Sequence, residues 1–309
     1  MSSDSRRPRR ERPVVDFLAS FVAGGDGPYV PLRGRVVMSS RRLVLVNAAA
    51  RTNVPFGAID DVAIGRVPES VADLFDDTVL VGYATGDGTR RTAIVGADTE
   101  HVDRFAGLLY RALLEGQDVT VRYATRVGGR LRDDTPIRSC SVALDVAAGR
   151  LAFEGADEGG DQEADDGAWR ETIEADEVGY VRWVDRTIDG EVHTVLSVEH
   201  VEDGTALTTE VWMRSPRRLN VLGRYLRQEF AAAAVDASTV DVDENDLEVL
   251  VAIHTLGADA EEMIRADETM NERCEELVEQ EMVEDGPTGL QATAKGHVLL
   301  NRHFEDVNE

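Results

Sequence analysis

The sequence predicts an α+β protein: two tandem copies of a small antiparallel β-barrel or sandwich, each closed by a C-terminal helix, followed by a helix-rich domain that ends in a hairpin. Three observations lead to this. The chain has 309 residues, enough for two or three domains. Short β-rich runs broken by turn residues precede each of two amphipathic helical stretches, so one element order occurs twice at a repeat of about 100 residues. From Asp241 onward the apolar residues follow a helical spacing instead.

Residues 1–12 hold five arginines with no apolar run behind them, which reads as a disordered basic tail and not a signal peptide. The first domain spans 13–116. Its run GRVVMSSRRLVLV reads as a hairpin turning at Ser39, Ser40 and Arg41. The stretches Val54 to Ile64, Asp77 to Gly88 and Thr89 to Gly96 supply further strands, the last two joined through Gly86, Asp87 and Gly88. Asp98 or Thr99 caps a helix whose inward residues are Val102, Phe105, Ala106, Leu109, Ala112 and Leu113, and Gly116 ends it.

The second domain, 117–236, repeats this order. Cys140 to Gly155 is a hairpin, Thr172 to Val184 a strand, His193 to Met213 a second hairpin, and Pro216 to Val235 a helix with Leu219, Leu222, Leu226 and Phe230 on one face. An acidic insert at 154–167 reads as a disordered loop. The third domain, 237–309, has three helices, with Leu247, Leu250, Val251 and Leu256 marking the first and Met270, Cys274, Leu277 and Val278 inward on the third. A strand pair turning at Gly286 to Gly289 and a last helix follow. Helix, helix, helix, hairpin is the winged-helix order.

Apolar residues make up 42% and charged residues 30%, which excludes general disorder and fibrous repeats. The charge is strongly biased. There are 59 Asp and Glu against 33 Lys and Arg, a net charge of -26, and every base except Lys295 is arginine. This composition suits brine, where the Debye length drops to about 3 Å or less and self-repulsion is screened. Acidic runs are therefore solvated surface, and no carboxylate pair is read as catalytic for its charge alone.

Cys140 and Cys274 fall in different domains, which gives neither a disulfide framework nor a metal knuckle and points to a reducing, cytoplasmic setting. The six histidines lack ligand spacing. No apolar stretch nears the roughly 18 residues of a membrane span. There is no Walker A loop, GxSxG elbow or Gly-rich strand-to-helix turn. No enzymatic activity, cofactor, metal or membrane insertion is expected.

A winged helix invites a DNA-binding transcription regulator as the alternative reading. Residues 241–309, however, hold 20 Asp or Glu and four Lys or Arg, and the third helix carries Glu268, Glu272, Glu275, Glu276 and Glu279. A groove-entering helix must neutralise phosphates, so protein contact is preferred and no DNA is expected.

Arginine placement is the more useful signal. Arg33, Arg35, Arg41, Arg42 and Arg51 share a stretch without acids, and Arg214, Arg217, Arg218, Arg224 and Arg227 share another. Arginine bonds carboxylates and phosphates in two-point fashion and is enriched at interface hot spots. The candidate partner-binding residues are therefore Trp212, Arg214, Arg217, Arg218, Arg224 and Arg227, with Arg33, Arg35, Arg41 and Arg42. The plainer alternative is that each arginine pairs with an acid elsewhere in the fold.

GRVVMSSRRLVLV followed by VPFGAIDDVAI resembles the opening of a pleckstrin-homology-like (PH-like) or GRAM-type module, in which a strand pair precedes an "(I/V)P…I.DV" strand. Two such modules and an acidic winged helix, in a salt-adapted chain, resemble the CheF family of archaeal chemotaxis adaptors from about Pro13 to Phe304. The resemblance implies a cytoplasmic, non-enzymatic adaptor that binds the response regulator CheY, preferentially phosphorylated, and contacts cytosolic accessory proteins of the archaellum. CheC and CheD proteins are implied as associated partners. No family motif is sharp enough to carry over a binding residue. Some PH-like modules bind anionic lipid through basic hairpins, for which Arg33 to Arg42 would serve, but screening in brine weighs against it.

Overall fold

The computed structural model describes residues 11–23, 30–65, 75, 77–127, 130–132, 134–156, 168–188, 190–202, 205–238, 242–256, 260–286, 289–293 and 295–300, with backbone only at 156, 168 and 229–238. Two compact units cover residues 1–113 and 114–309.

Among the described residues, the first unit has one antiparallel sheet and one α-helix: β1 (Val15–Ala23), β2 (Leu32–Met38), β3 (Arg42–Val46), β4 (Arg51–Pro55), β5 (Ile59–Ile64), β6 (Asp77–Ala84), β7 (Arg90–Ala97) and α1 (Thr99–Leu114). The strand order is β4-β3-β2-β1-β7-β6-β5. Alternation decides the faces. On β1, Ala19 and Phe21 are buried and Phe17 packs on His101 and Phe105 of α1, whereas Leu18 on the opposite face is 67% exposed. Helix α1 buries Val102, Phe105, Ala106, Leu109 and Leu113. Ala112, expected inward, is exposed.

The second unit begins with β8 (Asp118–Val127), β9 (Arg130–Leu131), β10 (Arg138–Asp145), β11 (Arg150–Ala156), β12 (Ala168–Glu174), β13 (Val178–Ile188), β14 (Glu191–Glu202), β15 (Thr205–Trp212) and α2 (Pro216–Ser238). Its order is β12-β11-β10-β8-β15-β14-β13, with the short β9 beside β8. With β9 set aside, this is the order of the first sheet strand for strand. The repeat extends to detail. A 3-10 turn, Phe56–Ala58 or Ala175–Glu177, separates the fourth and fifth strands of each copy. The fifth strand then bulges just after its first residue, between Ile59 and Asp61 or between Val178 and Tyr180.

Several expectations need correction. Neither sheet closes into a barrel, because β4 and β5, and likewise β12 and β13, remain unpaired edges of an open path. Val54 to Ile64 is not one strand, since the Phe56–Ala58 turn carries the chain from one sheet edge to the other. The central strands β1 and β8 are not apparent from the sequence, because Asp16 and Arg122 interrupt their apolar runs and alternation holds over only part of each strand. Residues Glu154 to Ala156 of the acidic insert belong to β11, and 157–167 lie outside the described residues, as do residues 1–10 of the tail.

Downstream are α3 (Glu244–Leu256), α4 (Ala260–Ala266), α5 (Glu268–Glu279), β16 (Val283–Gly286) and β17 (Gly289–Ala292), with residues 295–300 helical. Val249, Leu250, Ile253, Ile264, Cys274 and Leu277 form their core. Val278, expected inward, is 44% exposed, as is Leu256 near the end of α3. Asp243 caps α3 by accepting from Asn245 N and Asp246 N, and Asp267 caps α5 through Thr269 N and Met270 N. Lys295 Nζ donates to Gln280 O at the end of α5, where a cation complements the helix dipole.

Candidate functional site

Trp212 ends β15, and Pro216 opens α2 at the first helical position, where its missing N–H costs nothing. Leu219, Leu222 and Leu226 seat the helix on the sheet. It approaches closely at Gly223, where a Cβ would lie 3.1 Å from the Trp183 ring and 3.2 Å from Leu196. Phe230 lies where only the backbone is described.

The arginines of this stretch fall into separate settings. Arg214 and Trp212 line a groove of about 490 Å³ shared with Thr120, Ser141, Glu154 and Ile188, and Trp212 also packs against His193, ring centroids 4.6 Å apart. Spacings of seven and three put Arg217, Arg224 and Arg227 on one flank of α2, with Arg218 turned away from them. Arg217 is exposed, and Arg218, Arg224 and Arg227 are half-buried. Arg227 lies over the Trp183 ring at 5.8 Å, a cation–π contact. Burial and then the neighbouring Arg224 pull the Arg227 guanidinium below its ordinary pKa, as burial and Arg217 do for Arg218.

In the first unit, two of the four candidates are already neutralised. Arg35 holds Asp16 through two bonds, one of them Nε to Oδ1 at 2.9 Å, and Arg42 holds Glu11 at 2.9 and 2.8 Å. Arg33 and Arg41 are exposed and make no ion pair among the described residues. The register places Leu18, Arg35, Val46 and Arg51 in one row across β1 to β4, with Arg33 opposite Ser20 one step along. Leu18 was missed in the sequence because β1 was missed. Alternation around Phe17, Ala19 and Phe21 could have found it.

The remaining polar clusters are structural in geometry. The buried Glu210 carboxylate receives Arg186 Nε at 2.6 Å and Arg122 Nη1 at 3.4 Å. Tyr123 Oη donates to Glu202 at 3.0 Å, and burial followed by the Glu202 charge raises the Glu171 carboxyl above its ordinary range. Burial pushes the Cys140 thiol up to about 11, too high for a nucleophile near neutrality. It also holds His200 neutral, pulled down to about 4, with its ring against Thr209 Oγ1 at 3.0 Å. Among the described residues no helix is long and apolar enough to cross a membrane.

Fold and surface together define a doubly repeated α+β protein whose outstanding feature is the placement of arginine on an acidic chain. Residues 13–232 match the family described as "Archaeal Chemotaxis signal transduction system protein F", CheF, and the chain belongs to it. It is 32% identical to "Taxis protein CheF2" of Halobacterium salinarum over 96% of this chain and 99% of that one. It is 22% identical to "Taxis protein CheF1" of the same organism, over 85% of this chain and 84% of that one. Its role is thus chemotaxis-related. A solved structure titled "Vav1 inhibited by an allosteric inhibitor: Vav1 inhibitors block GEF activity" is similar at a TM-score of 0.25 and 9% identity, covering 38% of this chain and 33% of that one.

Proposed function

We propose that the chain is a cytoplasmic, non-enzymatic adaptor that binds the response regulator CheY, preferentially phosphorylated, and couples it to cytosolic accessory proteins of the archaellum, with CheC and CheD proteins as associated partners. Membership of the CheF family across residues 13–232 is the observation that carries this reading. The same reading takes each repeat as a PH-like module, supported by seven shared antiparallel strands and a following helix, and the last part as a winged helix, supported by three helices and a hairpin. The domains are then 13–116, 117–236 and 237–309.

An adaptor transmits a signal only through differential affinity, since a partner bound equally in both phosphorylation states shifts nothing. One docking face is Trp212, Arg214, Arg217, Arg218, Arg224 and Arg227. The acidic α5 is kept for protein contact: Glu268, Glu272, Glu275, Glu276 and Glu279 are all exposed, so the helix presents carboxylates where DNA would need bases. A pull-down from host lysate at native salt tests the reading. Recovery of CheY and archaellum proteins, the former dependent on phosphorylation, supports it. Recovery of neither, with DNA or lipid retained, contradicts it. Arg217→Glu with Arg218→Glu that leaves both partners bound removes the α2 face.

A further inference from the structure

We infer that the outer face of β1 to β4, around Leu18, Arg33 and Arg51, is a second docking surface, and that it takes an acidic protein surface bearing an apolar contact. The inference rests on the adaptor reading, which needs two partners held at once, and it assigns a site for one of them.

Charge is the first observation. Residues 1–113 carry 15 Arg against 14 Asp and Glu, whereas residues 114–309 carry 18 Lys and Arg against 45 Asp and Glu. The acid excess of the chain therefore lies entirely in the second unit. The tail is not the cause, because residues 13–113 alone hold 10 Arg against 12 Asp and Glu. If carboxylates serve only to keep the protein hydrated in brine, both units need them equally. The first unit has no such excess, its acids being matched by arginines.

The face itself is the second observation. Strands β1 to β4 contain one carboxylate, Asp16, and Arg35 occupies it. Arg33 and Arg51 are exposed and make no ion pair among the described residues. At the β1 end of the same row, next to Arg35 and diagonal to Arg33, Leu18 is 67% exposed in the middle of a strand at the centre of the sheet. The same face is covered farther along, where Phe75 packs over Val22 and Ile94. The cover stops short of Leu18.

Complementarity then selects the occupant. In concentrated salt an ionic contact alone is screened, so binding needs apolar area beside the charge. Leu18 supplies that area at the β1 end of the face, and the arginines of β2 and β4 supply two-point recognition of carboxylates. The face consists of paired strands with no helix or projecting β-ribbon to enter a duplex groove, and the charge and apolar contact fit a folded acidic protein.

The test uses the full chain at multimolar KCl, with purified CheY activated by beryllofluoride, purified archaellum accessory proteins and anionic phosphatidylglycerol vesicles as probes. The variants are Leu18→Asp alone and Arg33→Glu with Arg51→Glu, both at exposed positions, with circular dichroism to confirm folding. A loss of tenfold or more in affinity for one protein probe in both variants, with the other protein probe still bound, is the expected result. Unchanged binding of every protein that the parent chain binds overturns this surface and leaves the adaptor reading standing. No protein probe bound by the parent chain overturns both. Vesicle binding by the parent chain that the variants lose makes the face a membrane site and overturns the inference.

Discussion

Arg186 Nε on β13 donates to Oε1 of Glu210 on β15 at 2.6 Å, reaching across the intervening strand β14. Glu210 is only 7% exposed, and Arg122 of β8 approaches its other oxygen at 3.4 Å. One carboxylate thus ties three strands, β8, β15 and β13, across a span of four. Replacing it with Gln leaves two guanidinium groups without their counter-charge. Both arginines keep partial access to water, so the loss is about 2 kcal/mol, less than for a fully buried pair. Urea unfolding of Glu210→Gln at constant high salt measures it.

Burial also sets a pH dependence. His200 and His297 are pulled from the ordinary 6.5 to about 4, His200 by burial and His297 by burial and then by His254. The unfolded chain takes up protons below pH 6.5 while the folded chain does not until about pH 4. Folding stability is therefore fully present above pH 6.5 and is lost as pH falls toward 4, with a slope of up to about 1.4 kcal/mol per pH unit per histidine. His200→Gln and His297→Gln should each flatten the curve of unfolding free energy across this window, relative to the parent chain.

Backbone crowding gives a sharper contrast. A Cβ at Gly34 would stand 2.2 Å from Val46 O and 2.8 Å from Phe21 Cε1, whereas one at Gly57 would meet nothing within 4 Å. Gly34→Ala must push β2 from its neighbours and should cost about 3 kcal/mol. Gly57→Ala should shift the unfolding midpoint little. Thermal melts of the two variants make the comparison.

Salt should act on the two units differently. Lowering KCl from about 1 M to about 0.1 M lengthens the Debye length from about 3 to about 10 Å, which restores repulsion only where like charge is in excess. With 18 bases against 45 acids, residues 114–309 should lose amide protection first in hydrogen exchange, and residues 1–113 should hold. Simultaneous loss would contradict a repulsion-driven transition.

The repeat was legible in the sequence because turn residues and helix periodicity mark hairpin ends locally, as at Ser39 to Arg41 between β2 and β3. The two central strands were not, because charged residues, Asp16 in β1 and Asp118, Arg122 and Arg126 in β8, break up their apolar runs. The acid-free runs contain exposed arginines, Arg33 and Arg217 among them. They could not reveal that Arg35 and Arg42 are neutralised, because Asp16 and Glu11 lie 19 and 31 residues away in sequence. Pairing across strands is a property of register, which composition does not encode.

The most direct measurement is the affinity of the purified full chain for CheY at native salt, with and without beryllofluoride. The account predicts binding at least about tenfold tighter to the activated form, a difference of about 1.4 kcal/mol. Equal affinity for the two forms, or no binding to either, would contradict it.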